Sequence, residues 1–171
     1  MALFVIYGNM NSGKTHTCWL IYNLLKTAGT EIDFDPKTLT TKPTFSDVLQ
    51  QITTSHTTCT LILYSDFRAL FKYKGKRIAI FSAGDFVHHK KWKVCSFDDN
   101  MLWAEQNKAD HVICCARSYN RKGSVQKYIL THYRMHIYRW YYKNCLTALD
   151  EKLADVQRVA IEVFTDIKKD C

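Results

Sequence analysis

The chain has 171 residues, 47% of them hydrophobic and 23% charged, with a formal net charge of +8. Those proportions exclude a disordered polypeptide, and the length suits one domain, residues 1–171, with a full core. No apolar run approaches the ~18 residues that a bilayer span needs, and the apolar N-terminus lacks the basic leader of a signal peptide. A cytoplasmic protein with no membrane partner is expected.

Residues Ala2 to Tyr7 are continuously apolar, the pattern of a central parallel strand covered on both faces. "GNMNSGKT" follows at Gly8 to Thr15. Thr15 to Lys26 then has helical spacing, with Leu20, Leu24 and Leu25 on one side and Gly29 as a stop. Residues 30 to 59 carry both prolines and little pattern. They suggest a short strand near Glu31 to Phe34 and a short helix from Ser46 to Ile52.

From Thr60 the chain turns to strands. "TLILY" is one, and "ALFKY" and "RIAIFS", joined by "KGK", read as a hairpin. Asp98 and Asp99 sit where a helix N-terminus favours negative charge, and "NMLWAEQNK" continues as that helix. "HVICCA" is the next buried strand. Ser124 caps a long helix predicted from Val125 to about Asn144, with Val125, Tyr128, Ile129, Tyr133, Ile137, Trp140 and Tyr141 on its apolar face. His132 and His136 are four apart on it, which can bind metal but more often marks a packed pair. The aromatic-rich "YRMHIYRWYYK" could stack on bases, yet its helical spacing points to core first. A last helix follows Asp150. Its seam of Leu149, Leu153, Val156, Ala160, Val163 and Ile167 either docks on the domain itself or makes a homodimer contact.

Charge and cysteines refine the partners. Between Asp110 and Asp150 there is no acidic residue, while Arg117, Arg121, Lys122, Lys127, Arg134, Arg139 and Lys143 all fall there. A basic surface attracts polyanions, so nucleic acid is a candidate partner beside a nucleotide. The seven cysteines show no Cys-x-x-Cys pair, which fits reduced thiols rather than a disulfide framework or a zinc site.

The spacing Gly8-x-x-x-x-Gly13-Lys14-Thr15 has a physical logic. The glycines let the backbone curl so that the N–H groups of Gly8, Asn9, Met10, Asn11, Ser12 and Gly13 can face phosphate. Lys14 reaches the outer phosphates, and the Thr15 hydroxyl suits magnesium. The helix that follows aims its N-terminus at the same anion. Strand, loop and helix in this order resemble the P-loop nucleoside triphosphatase superfamily, with its Walker A motif at Gly8 to Thr15. The size resembles the small nucleotide and metabolite kinases.

That resemblance implies an α/β fold of three layers, with a mainly parallel central sheet, here joined by an antiparallel hairpin strand and a helical C-terminus. It also implies ATP or GTP with magnesium. A Walker B acid is expected after a second apolar strand. Asp85, three residues beyond "RIAIFS", is favoured, and Asp66 after "TLILYS" competes with it. Arg117, Arg121 and Lys122, in "CCARSYNRKGS", suit the charge-stabilising role of a lid. Asp33 and Asp35 have the chemistry to contact a small phosphate acceptor. "NKAD", Asn107 to Asp110, precedes a strand and reads as a helix end, not a guanine-reading motif. No glutamate stands beside "GDF" as a hydrolysing machine of the additional-strand type would require. The expected activity is transfer of a γ-phosphate by a small phosphotransferase. The alternative is a nucleotide-binding switch, or a nucleic-acid or partner-binding NTPase with slow hydrolysis.

Overall fold

The computed structural model describes residues 1–9, 12–36, 66–90, 93–118, 123–144, 146 and 148–171. They form an α/β unit around a six-stranded mixed sheet. The strands are β1 (Ala2–Gly8), β2 (Thr30–Pro36), β3 (Phe67–Tyr73), β4 (Lys76–Phe81), β5 (His111–Arg117) and β6 (Ile137–Lys143). The helices are α1 (Lys14–Ala28), α2 (Phe97–Gln106), α3 (Val125–His132) and α4 (Leu149–Asp170). The predicted strand "TLILY" and the helix from Ser46 to Ile52 lie outside the described residues.

The strand order is β2-β3-β4-β5-β1-β6. β1 pairs in parallel with β5 on one side and β6 on the other, and β4 pairs in parallel with β5. β3 is antiparallel to both β4 and β2, so it alone runs against the rest. The hairpin between β3 and β4 turns at Lys74 (φ 46°) and Gly75 (φ 84°). Two successive positive φ values make the tight turn whose twist matches the strands it joins.

Leu3, Phe4, Val5 and Ile6 are all fully buried because both faces of β1 are covered. One face carries Phe4, Ile6, Ile80, Ile113 and Cys115, packed against α1 and α4. The other carries Leu3, Val5, Ala79, Phe81, Val112 and Cys114, packed against α2 and α3. The C-terminal seam docks on the first of these cores: Val156, Val159, Ala160, Val163 and Ile167 are buried there with Cys18, Ile21, Tyr22 and Leu25 of α1. This stripe is therefore already covered. Leu24, expected beside Leu20 and Leu25, is only half-buried.

The long helix expected from Val125 to about Asn144 is corrected. Ser124 does cap it, accepting from the Lys127 N–H at 3.2 Å. The helix ends at His132, a 3-10 turn covers Arg134–His136, and the chain becomes β6. Residues 137–143, "IYRWYYK", are aromatic and β-branched, which favours a strand. So dense an apolar stretch satisfies a three-to-four spacing and an alternating one equally well. His132 and His136 consequently do not share a helix face.

Candidate phosphate-binding site

The parallel strands bring four chain segments to one rim: Gly8 from β1, Ser82 to Asp85 after β4, Arg117 from β5 and Lys143 from β6. Gly8 stands between Arg117 and Lys143 in the strand registers. Ligands of open α/β sheets bind beyond such carboxyl ends.

The loop itself is built on two glycines. At Gly8 a Cβ would lie 2.6 Å from the Lys143 carbonyl oxygen and 2.8 Å from Ser12 Oγ, so only glycine fits. Gly13 has φ 83° and ψ 19°, the left-handed region, and it caps α1 with no side chain. The first turn of α1 contains no acidic residue. No carboxylate in that turn offsets the partial positive charge that a helix start presents to an incoming anion. Ser12 is buried, and its Oγ has no hydrogen-bond partner among the described residues. A backbone cradle that a Cβ would fill, an uncapped helix start and an orphaned hydroxyl fit a phosphate group. Met10 and Asn11 lie outside the described residues.

Lys14 turns back over the loop. Its Nζ donates to the carbonyl oxygens of Gly8 at 3.1 Å and Asn9 at 2.7 Å. Burial lowers its pKa from the ordinary lysine value. Nearby negative groups, Asp85 among them, oppose that fall, and Arg117 adds to it. Lys14, Asp85 and Arg117 thus share one electrostatic neighbourhood. Ser118 closes the loop from the β5 side: its N–H donates to Gly8 O at 3.1 Å and its Oγ to Asn9 Oδ1 at 2.6 Å. Thr15, the second residue of α1, is half-buried.

Asp85 does not stand alone. Arg117 grips it with Nε 2.5 Å from Oδ1 and Nη2 donating to Oδ2 at 2.9 Å. Gly84 lets the segment lie flat on β5, where a Cβ would come within 2.7 Å of the Cys115 backbone. Asp66 lies at the same end of the hairpin and accepts from Ser82 Oγ at 3.0 Å. Thr15 with either carboxylate would supply the hard oxygen ligands that magnesium takes. Arg121 and Lys122 lie outside the described residues. Asp35 is paired with Arg68 at 2.7 Å, and Asp33 accepts from the Phe34 N–H, so both are engaged locally. Asn107 ends α2, and Asp110 accepts from the Arg77 N–H.

Lys143 is a rim residue that the sequence reading left in a helix. It is fully buried, with Nζ 2.6 Å from Asp155 Oδ2. Burial pulls its pKa down to about 8 against the opposing pull of Asp155. Burial alone would raise the Asp155 carboxyl, but hydrogen bonds from Lys143 and Arg158 hold it below its ordinary value. Asp155 also accepts from the Asn144 N–H at 3.2 Å and so ties the segment leaving β6 to α4. A lone lysine ending an aromatic run gave no signal of this role.

Cys18, Cys95, Cys114 and Cys115 are buried thiols outside any disulfide, and Cys171 is a half-buried one. Cys59 and Cys145 lie outside the described residues. Among the described residues no helix is long and apolar enough to cross a membrane. No protein-family model, curated protein or solved structure matches the chain.

Proposed function

We propose that this chain is a P-loop protein of three-layer architecture that binds ATP or GTP with magnesium at Gly8 to Thr15. The reading rests most heavily on one observation: β1 runs through a glycine-pinned loop straight into the uncapped N-terminus of α1, with Lys14 over the opening. Lys14 would exchange the carbonyls of Gly8 and Asn9 for the β and γ phosphates. Magnesium, when bound, would neutralise phosphate charge, held by Thr15 and by Asp85 or Asp66. Arg117 would leave Asp85 and turn to the transferred group, with Arg121 and Lys122, a few residues further along the chain, as candidates for the same charge-stabilising role. The expected reaction is phosphoryl transfer to a small acceptor, positioning and charge supplying the catalysis.

A second reading is a nucleotide-dependent binding protein with slow hydrolysis. One observation favours it: the segment after β4 offers Asp85 with no glutamate beside it to activate an attacking water. The readings separate in one assay. Nucleoside diphosphate release is measured for the wild type and Lys14→Ala across nucleosides, nucleotides and small metabolites. Release stimulated by one acceptor and lost in the variant supports the phosphotransferase. Variant-sensitive binding that no acceptor stimulates supports the second reading.

A further inference from the structure

The end of β6 reopens the aromatic segment that a helical reading assigned to the core. Trp140 and Tyr142 are two apart on a strand and so project from the same face. Both pack on Tyr7 of β1: the ring centroids are 5.3 Å apart for Tyr7–Trp140 and 5.2 Å for Tyr7–Tyr142. This is the face that α2 and α3 cover elsewhere. α2 packs over β3 and β4 at the other end of the sheet, and α3 has only eight residues. The next connection crosses to the opposite face as α4. The rings are therefore left partly open: Tyr142 is 46% exposed, and Tyr7 and Trp140 are half-buried.

The chain segment that supplies Trp140 and Tyr142 carries charge of one sign. Residues 111–149 contain no carboxylate. Three of their cations are already paired, Arg117 with Asp85, Arg139 with Asp166 and Lys143 with Asp155. Lys127 on α3 and Arg134 in the 3-10 turn are exposed, and neither has a carboxylate partner among the described residues. Tyr133 and Ile137, on either side of Arg134 in the chain, pack into the same apolar cluster as Trp140. The carboxylates on this face, Asp98 and Glu105 of α2, lie near Tyr133, where burial first and then these two groups raise its phenol pKa.

We propose that the Tyr7–Trp140–Tyr142 face binds single-stranded nucleic acid, its bases stacking on the rings and its phosphates passing Lys127 and Arg134. Partly exposed aromatic rings on a chain segment with exposed cations and no carboxylate match that ligand, because every base has a stacking face and every nucleotide a negative charge. Duplex DNA, whose bases are already stacked, fits less well. The inference does not rest on the nucleotide reading, although Tyr7 directly precedes Gly8.

The test is fluorescence anisotropy of the full chain with a labelled oligothymidylate, a backbone of the same length without bases, and a duplex. The oligothymidylate should bind best, more weakly as salt rises. Trp140→Leu and Tyr142→Leu should each weaken it about tenfold, whereas Tyr142→Phe and Lys14→Ala should bind like the wild type. Lys127→Glu with Arg134→Glu, surface changes that spare the core, should weaken binding and flatten its salt dependence. Equal affinity for the abasic strand would overturn the proposal. So would wild-type binding by folded leucine variants or by the charge-reversed variant. Sedimentation showing a dimer that either leucine variant dissolves, with no oligonucleotide binding, would assign the face to self-association instead.

Discussion

Arg117 and Asp85 meet at the rim through a two-point ion pair, Nε to Oδ1 at 2.5 Å and Nη2 to Oδ2 at 2.9 Å. The same carboxylate is the favoured magnesium acid and the same guanidinium the favoured phosphate contact. In this pairing each occupies the other. Both are partly exposed, at 43% and 23% of the side chain, so separating them costs little, about 1 kcal/mol or less. Arg117→Ala should therefore lower the magnesium concentration needed for half-maximal nucleotide binding about fivefold while slowing turnover. Titrating magnesium against nucleotide binding checks this. An unchanged magnesium requirement would place the metal on another carboxylate, Asp66 first.

Asp155 and Lys143 set a stability prediction. Asp155→Ala would leave a fully buried ammonium without its counter-charge and should cost about 3–5 kcal/mol. Replacing both, Lys143→Met with Asp155→Leu, should recover most of that loss. Urea unfolding of the two proteins gives the comparison directly. Equal losses in the single and double variants would mean that Asp155 acts through Asn144 and Arg158 rather than through Lys143.

Gly8 and Gly75 make a contrast. Gly8→Ala drives a Cβ to within 2.6 Å of a backbone carbonyl and should destabilise by about 1–3 kcal/mol. Gly75 faces open space at φ 84°, and Asn tolerates that conformation, so Gly75→Asn should cost under about 1 kcal/mol. Thermal unfolding ranks them.

His16 predicts the acid limb of stability. Burial first, then Lys152 and Lys143, pushes its pKa down to about 4. Burial also lowers His111. Between about pH 6.5 and pH 4 the unfolded imidazole is protonated while the folded one is not. Stability is complete above that window and falls as pH drops through it. His16 is half-buried, so its share is about 2 kcal/mol. His16→Gln should lose correspondingly less between pH 7 and pH 4. A variant with the wild-type pH slope would show that His16 carries none of it.

The parts of the fold that the sequence revealed share a property: local pattern and tertiary role agree. β1 is uniformly apolar because both its faces are covered, and α1 opens where the glycines end. The hairpin announces itself through Lys74-Gly75, and the seam of α4 repeats at helical spacing because one face meets α1. Asp85 and Arg117 can be placed on one rim from the sequence because strand ends collect there in parallel sheets. Their mutual pairing was not readable, since it depends on β4 and β5 being neighbours. The change from α3 to β6 was missed for a different reason. No glycine or proline marks it, and aromatic density hides the period. Lys143 was lost with it, and so was the open platform of Tyr7, Trp140 and Tyr142.

Nucleoside triphosphate binding by the loop over α1 is measured by calorimetric titration of the wild type and Lys14→Ala with ATP and with GTP, each with magnesium. The wild type should bind at one site, and binding should weaken at least about tenfold in a variant that stays folded. Absence of binding to either nucleotide at millimolar concentration, or equal affinity in the two proteins, would contradict the proposed site.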